Sequence, residues 1–461
     1  MSALSRLWKL RKEHPQFVAV AVVTLVVLAA YPFVDMWLRS IDVASGYRYY
    51  DFGAYRNGID RWHRGETIYQ RTESGGFHGT FLYPPIALAL FLPFDGMPFA
   101  EAAAAWGLFS LALLWVGLQL AASGLGCTLA RWERAALLWV LIGFQPLALS
   151  MKMGQMAGFM AGLLALSLAA LLRGESGEPD RTRSRLGRLL GRGRPDRATD
   201  GGRLAGRPGG RRLPRWAGGA RLARWASGAL TGVVGLVKMS YAPIGAHLLA
   251  DRDRFLGAVA AGVVMAVASL AVFGPEVNRT YLDVLVWGTT KGTGGRPPTL
   301  WLPPYYRPLQ WLPAAQALRV VGSLAVAAVA VLSRGRDRSV FALGVAAFPL
   351  LTPLGYAYYF VGLVPAVFVL VADELDRDGY PALPVFGLLL VHLHSHGLKF
   401  VVSVLPTLFP PVKLFAPYSA LQPGLWGNLL LFALAFVRVA QTVPLPAWVP
   451  ASVTREPDEG A

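Results

Sequence analysis

Apolar runs long enough to cross a bilayer recur from one end of this chain to the other. They constrain its fold more than any motif does. Of its 461 residues 54% are hydrophobic and only 15% are charged, against about 25% charged in an ordinary soluble protein. Lipid offers the backbone no hydrogen-bond partner, so spanning segments must satisfy their own N–H and C=O groups. Runs of about 20 apolar residues do so as helices. The expected fold is therefore all-α, a polytopic transmembrane helix bundle of about 10–13 membrane segments, short or re-entrant ones included.

Phe17 to Leu38 reads as the first span, with Asp35 near its end and Arg6, Lys9, Arg11 and Lys12 before it. No small-residue cleavage site follows, so the helix is expected to be retained. The positive charge before it predicts a cytoplasmic N-terminus and puts Ser40 to Thr80 outside, in a multi-pass protein of the cell membrane. Further apolar segments lie near 81–94, 98–122, 135–150, 155–172, 227–250, 255–274, 313–333, 339–352, 355–372, 384–405 and 424–441. Two of them break the pattern. Leu82 to Phe94 contains Pro84 and Pro85 and is short for a span. Gly228 to Ala250 carries Lys238 and Pro243 in its middle, with charged connectors at both ends. A re-entrant segment and a pair of half-helices reconcile these with the charge rule. Both would line one extracytoplasmic cavity, because broken helices at membrane depth are tolerated there.

The chain accordingly divides into an N-terminal half (1–172) with its first outer loop (40–80), an Arg-rich loop (173–226), a C-terminal transmembrane half (227–445) and a tail (446–461). Fifteen arginines between Arg173 and Arg224 supply much of the net charge of +17. Without apolar periodicity this block is expected to be a disordered cytoplasmic loop against anionic membrane lipids. It lacks the aromatic interleaving and motifs of a nucleic-acid arm, so no nucleic-acid partner is expected. The single cysteine, Cys127, rules out an intramolecular disulfide.

No nucleotide-binding glycine fingerprint, P-loop or metal-ligand cluster stands out, and neither cofactor nor metal is expected. His392, His394 and His396 alternate, a spacing that does not converge on one metal from a helix and reads as a buried or interfacial polar role. Asp51 is the candidate for chemistry, a carboxylate among aromatics just past a span; as residue spacing alone it is equally a solvated acid on a loop. Lys238 is an intramembrane cation that either binds an anion as a point charge or is neutralised by a buried acid. Gln155 either hydrogen-bonds a sugar hydroxyl or caps a helix. His63 shares the loop of Asp51 and reads as solvated surface. Tyr83, Tyr356, Tyr358 and Tyr359 lie at outer ends, where aromatics anchor to the interface. A second long outer loop, Pro275 to Leu312, holds Arg307 and a short glycosylation sequon at Asn278.

The run Asp51-Phe-Gly-Ala-Tyr55, then Gly65-Glu-Thr-Ile-Tyr69, then Phe81-Leu-Tyr83-Pro-Pro85 resembles the GT-C glycosyltransferases of family 87, the polyprenyl-phosphate-mannose-dependent α-mannosyltransferases. Gly154-Gln155 and Gly228-x-x-x-Gly232, leading to Lys238 and Pro243, continue the likeness in order. The resemblance implies a GT-C type bundle. It also implies a sugar, mannose by the family standard, moved from a lipid-linked donor to a glycolipid or glycan acceptor on the extracytoplasmic side. Asp51 would be the general base of an inverting displacement, and Lys238 with Arg307 would meet the leaving phosphate. Gln155, Tyr55, Tyr83, Tyr358 and Tyr359 would bind substrate. One departure is plain: Thr352-Pro-Leu-Gly-Tyr-Ala-Tyr358-Tyr359 puts Tyr358 where the family pattern has a histidine. A transporter or lipid flippase is the alternative from another class, since half-helices and intramembrane charge suit one as well. A non-catalytic scaffold of the same fold is a third.

Overall fold

A computed structural model describes residues 9–42, 46, 48–73, 76–77, 81–176, 215–290, 305–306, 314–333, 337–352, 355–394 and 422–443. Thirteen helices carry the described architecture: α1 (Pro15–Ser40), α2 (Tyr50–His63), α3 (Phe99–Gly124), α4 (Arg131–Gly143), α5 (Gln145–Met153), α6 (Ala157–Ser176), α7 (Arg215–Val237), α8 (Arg252–Thr290), α9 (Ala315–Leu332), α10 (Asp337–Leu351), α11 (Val364–Asp376), α12 (Ala382–His392) and α13 (Pro423–Ala440). Among the described residues seven helices are long and apolar enough to cross a membrane, or eight if the bent pair α4–α5 counts as one span. The protein is an all-α polytopic membrane protein. Where described, the other expected segments are helical but shorter or broken, such as the 15 residues of α10.

Small residues set the helix spacing. Without a hydrophobic drive between helices in lipid, close backbone approach through small side chains provides the attraction. A Cβ on Gly117 of α3 would lie 2.8 Å from Ala165 of α6, and one on Gly162 of α6 would lie 2.9 Å from the Leu114 nitrogen. Between α6 and α7 the contact is polar: Ser167 donates to the Ser227 carbonyl at 2.9 Å and shares a hydrogen bond with Thr231 at 2.8 Å. The α7–α8 crossing is tighter still, since a Cβ on Gly228 would meet the Arg254 carbonyl oxygen at 1.9 Å.

Three departures from the sequence reading have local causes. First, 135–150 is not one helix. It breaks at Phe144, with α4 and α5 meeting at 67°. The Gln145 N–H released by the break donates to Nδ1 of His392 at 3.2 Å. His392 thus serves a buried polar role, while His394 is also buried and His396 lies outside the described residues. Second, the outer loop from Pro275 begins as helix. Gly274 adopts φ 73°, ψ 170° and bends α8 there, and Pro275 opens the second half. Asn278 closes this kink, donating to the carbonyls of Gly274 at 2.7 Å and Ser269 at 3.1 Å. The sequon asparagine is therefore engaged in structure. Third, both edges of the Arg-rich stretch 173–226 are helical, in α6 up to Ser176 and in α7 from Arg215, because apolar residues continue the adjoining helices. Residues 177–214 lie outside the described residues.

The segment around Lys238 breaks as expected: α7 ends at Val237, Lys238 is extended, and a 3₁₀ helix with Pro243 inside runs Met239–Leu248. The Pro84-Pro85 segment forms two short 3₁₀ helices, Pro85–Leu90 and Leu92–Phe94. Two strands of two residues, Tyr305–Tyr306 and Gly355–Tyr356, pair antiparallel.

Ion pairs bind the far end of the bundle. Arg254, 1% exposed, reaches Asp337 at 2.7 Å; Arg338 spans Asp373 at 2.6 Å and Asp376 at 2.8 Å. Arg438 holds the fully buried Glu374 with a fork at 2.6 and 2.8 Å. Glu175, at the end of α6, feels Asp337, Arg338 and Arg254. The start of α6 adjoins Gln155, so the ionic belt and the Gln155 region occupy opposite ends of one helix about 30 Å long.

The glycine crossing is testable. Gly228→Ala should destabilise the protein by about 1–3 kcal/mol through overpacking, lowering the thermal unfolding midpoint in detergent. Gly235→Ala, whose Cβ meets nothing within 4 Å, should leave it unchanged or raise it.

Candidate functional site

The site is built where α2 meets the turn between α5 and α6. Tyr49 adopts a left-handed conformation (φ 64°) as the N-cap of α2, and its N–H donates to the Lys152 carbonyl at 2.7 Å. That bond fixes the start of α2 on the end of α5. Gly154 follows with φ 70°, and a Cβ there would sit 2.6 Å from the Phe52 Cβ. Both the positive φ and the close approach require glycine. Phe52 is walled by Phe99 at 5.7 Å and Phe91 at 6.0 Å between ring centroids. Asp51 therefore sits, half-buried, in the first turn of a helix packed on both flanks. It is not a solvated acid on a loop.

Gln155 is the hub. Its Oε1 accepts from the hydroxyls of Tyr55 and Tyr83, each at 3.3 Å. With its carbonyl so occupied, the amide N–H₂ is the end of the side chain left to favour the ionised Asp51 carboxylate, whose pKa Gln155 lowers. The Gln155 backbone is fixed too: its N–H donates to the Ser150 carbonyl at 2.8 Å, and its own carbonyl accepts from Trp106 at 3.4 Å. Tyr55 stacks on Phe91 at 4.2 Å, and Tyr69 donates to the Tyr83 carbonyl at 2.6 Å.

Lys238 enters from the break after α7. Its Nζ donates to the Tyr83 hydroxyl at 3.4 Å and lies 4.2 Å from the Tyr359 ring centroid and 5.3 Å from that of Tyr83. Two aromatic faces hold the ammonium group by cation–π attraction. Tyr358 and Tyr359 are buried, and both lie within electrostatic reach of Asp51. Tyr358 stacks flat on Tyr356, 5.0 Å apart and 4° from parallel. The strand pair ties the backbone at Tyr356 to Tyr305, which lies between α8 and α9 in sequence.

Burial raises the Asp51 pKa above the ordinary carboxylate value; the Gln155 hydrogen bond and the Lys238 charge pull it part of the way back. Burial also raises the phenols of Tyr55 and Tyr83, so both remain neutral donors. The arrangement offers a base of elevated pKa, neutral hydroxyl donors and one held cation. It suits proton abstraction from a hydroxyl beside a site for an anion.

The structure brings Asp51, Tyr55, Tyr83, Gln155, Lys238, Tyr358 and Tyr359 together, though they are scattered over some three hundred positions of sequence. Arg307 lies outside the described residues. His63 is elsewhere, 3.6 Å from Asp95. The sequence reading missed Trp106, Ser150 and Phe91, which fix Gln155 and Tyr55. Only the placement of Phe91 in the short apolar segment at 81–94 hinted at a role. Among the described residues no cluster of three or more His, Cys, Asp or Glu is arranged to hold a metal ion.

Residues 81–191 match the model of glycosyltransferase family 87. The match supports the family resemblance read from the motifs and indicates a membrane glycosyltransferase. It includes Tyr83 and Gln155 of the site, while Asp51 and Lys238 lie to either side of it. No curated protein and no solved structure matches the chain.

A carboxylate kept for chemistry is held at a cost in stability. Asp51→Asn should therefore unfold at no lower temperature than the wild type near neutral pH. A fall of several degrees would instead mark Asp51 as a structural tie of α2.

Proposed function

We propose that this family 87-like protein transfers a sugar, mannose by the family standard, from a polyprenyl-phosphate donor to the hydroxyl of a glycolipid or glycan acceptor. The observation that carries the reading is the Asp51–Gln155–Tyr83–Lys238 arrangement, a half-buried carboxylate that Gln155 and Lys238 both influence, beside a hydrogen-bonded chain from Gln155 through Tyr83 to that held cation. Asp51 takes the proton of the acceptor hydroxyl as that oxygen attacks the anomeric carbon. The C–O bond to the lipid phosphate breaks on the opposite face, and the anomeric centre inverts. The electron pair leaves on the phosphate oxygen, where Lys238 balances the growing charge. Gln155 orients the carboxylate, and Tyr55 and Tyr83 orient Gln155. Tyr358, a hydroxyl donor at the position of the family histidine, hydrogen-bonds substrate and is no proton shuttle near neutral pH.

We place this chemistry on the extracytoplasmic side of the cell membrane, from the positive charge before α1. Arg307 of the second outer segment is a further candidate for the donor phosphate.

The test is transfer from a radiolabelled polyprenyl-phosphate sugar in membranes. Asp51→Asn should lower the rate by about 10²–10⁴ with expression unchanged, and product analysis should give the inverted anomer. Transfer by Asp51→Asn at the wild-type rate would remove Asp51 from the mechanism.

The pH dependence follows from the opposing influences on Asp51. The base works only when ionised, so activity is lost as pH falls through its pKa. That acid limb should lie above the ordinary aspartate value of about 3.9. Gln155→Leu removes an interaction that favours the ionised form, so the limb should move to higher pH. Lys238→Met should move it the same way and also raise KM for the donor. A limb unmoved in both variants would mean that another group titrates.

A further inference from the structure

A second feature at the same end of the bundle is not part of the Asp51 arrangement. A cleft of about 400 Å³ opens between α1, α3 and the α4–α5 bend. Tyr49 and Lys152, whose backbones pair, line it; Asp51, Gln155 and Lys238 do not. We propose that this cleft binds the phosphate headgroup of an anionic glycerophospholipid drawn from the adjoining leaflet. The inference does not depend on the transferase reading.

Charge, floor and mouth agree on this occupant. Three cationic side chains, Arg39, Arg48 and Lys152, line the cleft against one carboxylate, Asp35. Arg39 grips Asp35 through Nε at 2.7 Å and Nη2 at 2.6 Å, which fixes its guanidinium and leaves further N–H donors on the same planar group. The lining therefore carries a surplus of positive charge at the end of a span, where lipid headgroups lie. The floor is apolar and hollow because α3 presents small residues there. Ala103, Ala104 and Gly107 line it, and the three atoms nearest a Cβ on Gly107 would all belong to the Met151 side chain, none closer than 3.7 Å.

The flanks are apolar and exposed. Leu108 (61%) on α3 lines the cleft, and on α1 Phe33 (60%) and Met36 (64%), each next in sequence to the lining residues Pro32 and Asp35, add exposed side chains that suit acyl chains. A free phosphate would use the cations and leave the floor and flanks bare. A lipid uses all three. Each Lys or Arg near an anionic headgroup strengthens binding about fivefold, so the surplus charge selects an anionic headgroup over a zwitterionic one.

The experiment is native mass spectrometry of the full chain in a neutral detergent, titrated with phosphatidylglycerol or phosphatidylcholine of matched acyl chains. Wild type should retain phosphatidylglycerol in preference to phosphatidylcholine. The double variant Arg48→Ala/Lys152→Ala should lose about tenfold or more in phosphatidylglycerol affinity. Gly107→Leu, which fills the hollow and keeps every charge, should lose retention of both lipids. Thermal unfolding without lipid checks that each variant is folded, and Arg48→Ala alone, at an exposed side chain, serves if the double variant is not. Equal binding of the two lipids, or wild-type binding by the folded variants, overturns the proposal. Displacement of phosphatidylglycerol by millimolar inorganic phosphate would assign the site to the anion alone and overturns it as well.

Discussion

Burying the Asp51 carboxylate costs free energy that the Gln155 amide and the Lys238 cation only partly return. The rest of the site follows from keeping those two groups in place. Gln155 can offer its amide N–H₂ to Asp51 because two neutral phenols occupy its carbonyl. It sits at the right depth because Gly154 lets the chain turn against Phe52. Lys238 can approach because α7 stops at Val237 and the next residue is extended. A single amide orientation thus gathers four separate chain segments, which is why no local motif describes the site.

The opposite end of the bundle does the complementary work. Arg254, Arg338 and Arg438 bind Asp337, Asp373, Asp376 and Glu374 across helices distant in sequence. Buried ion pairs are weak sources of net stability but strict about partners, since an unpaired charge there is severely unfavourable. The pairs fix which helix ends meet. The glycine and serine contacts of α3, α6, α7 and α8 fix how closely they pass. Together they form the frame on which the Asp51 end is displayed.

Much of this was legible in the sequence. Span lengths follow from hydropathy, and Lys238 with Pro243 announced the break after α7, because neither suits an uninterrupted span. Asp51, Tyr83 and Gln155 could be named in advance through ordered motifs, yet their mutual hydrogen bonds could not, since partners 72 and 100 positions apart leave no periodic trace. The bend at Phe144 was overlooked although Gly143 and the Gln145-Pro146 pair flank it, because these residues sit inside a longer apolar run. The helix after Pro275 was hidden by its own proline and by Gly274, which read as loop residues although proline also opens helices. The lipid-facing cleft was invisible for a different reason. Ala103, Ala104 and Gly107 look like ordinary small residues of a span, and only packing shows that they leave a hollow.

The bend between α4 and α5 carries a consequence for how the chain is made. The Gln145 N–H it frees lies where water is scarce, and its partner is the ring nitrogen of His392, 247 residues further along the chain. During synthesis the bent span is threaded into the membrane long before that imidazole exists. An early half-protein must leave this amide unmatched or hold the segment straighter until the late helices arrive. The hydrogen bond that closes the bend can therefore form only once α12 has been made.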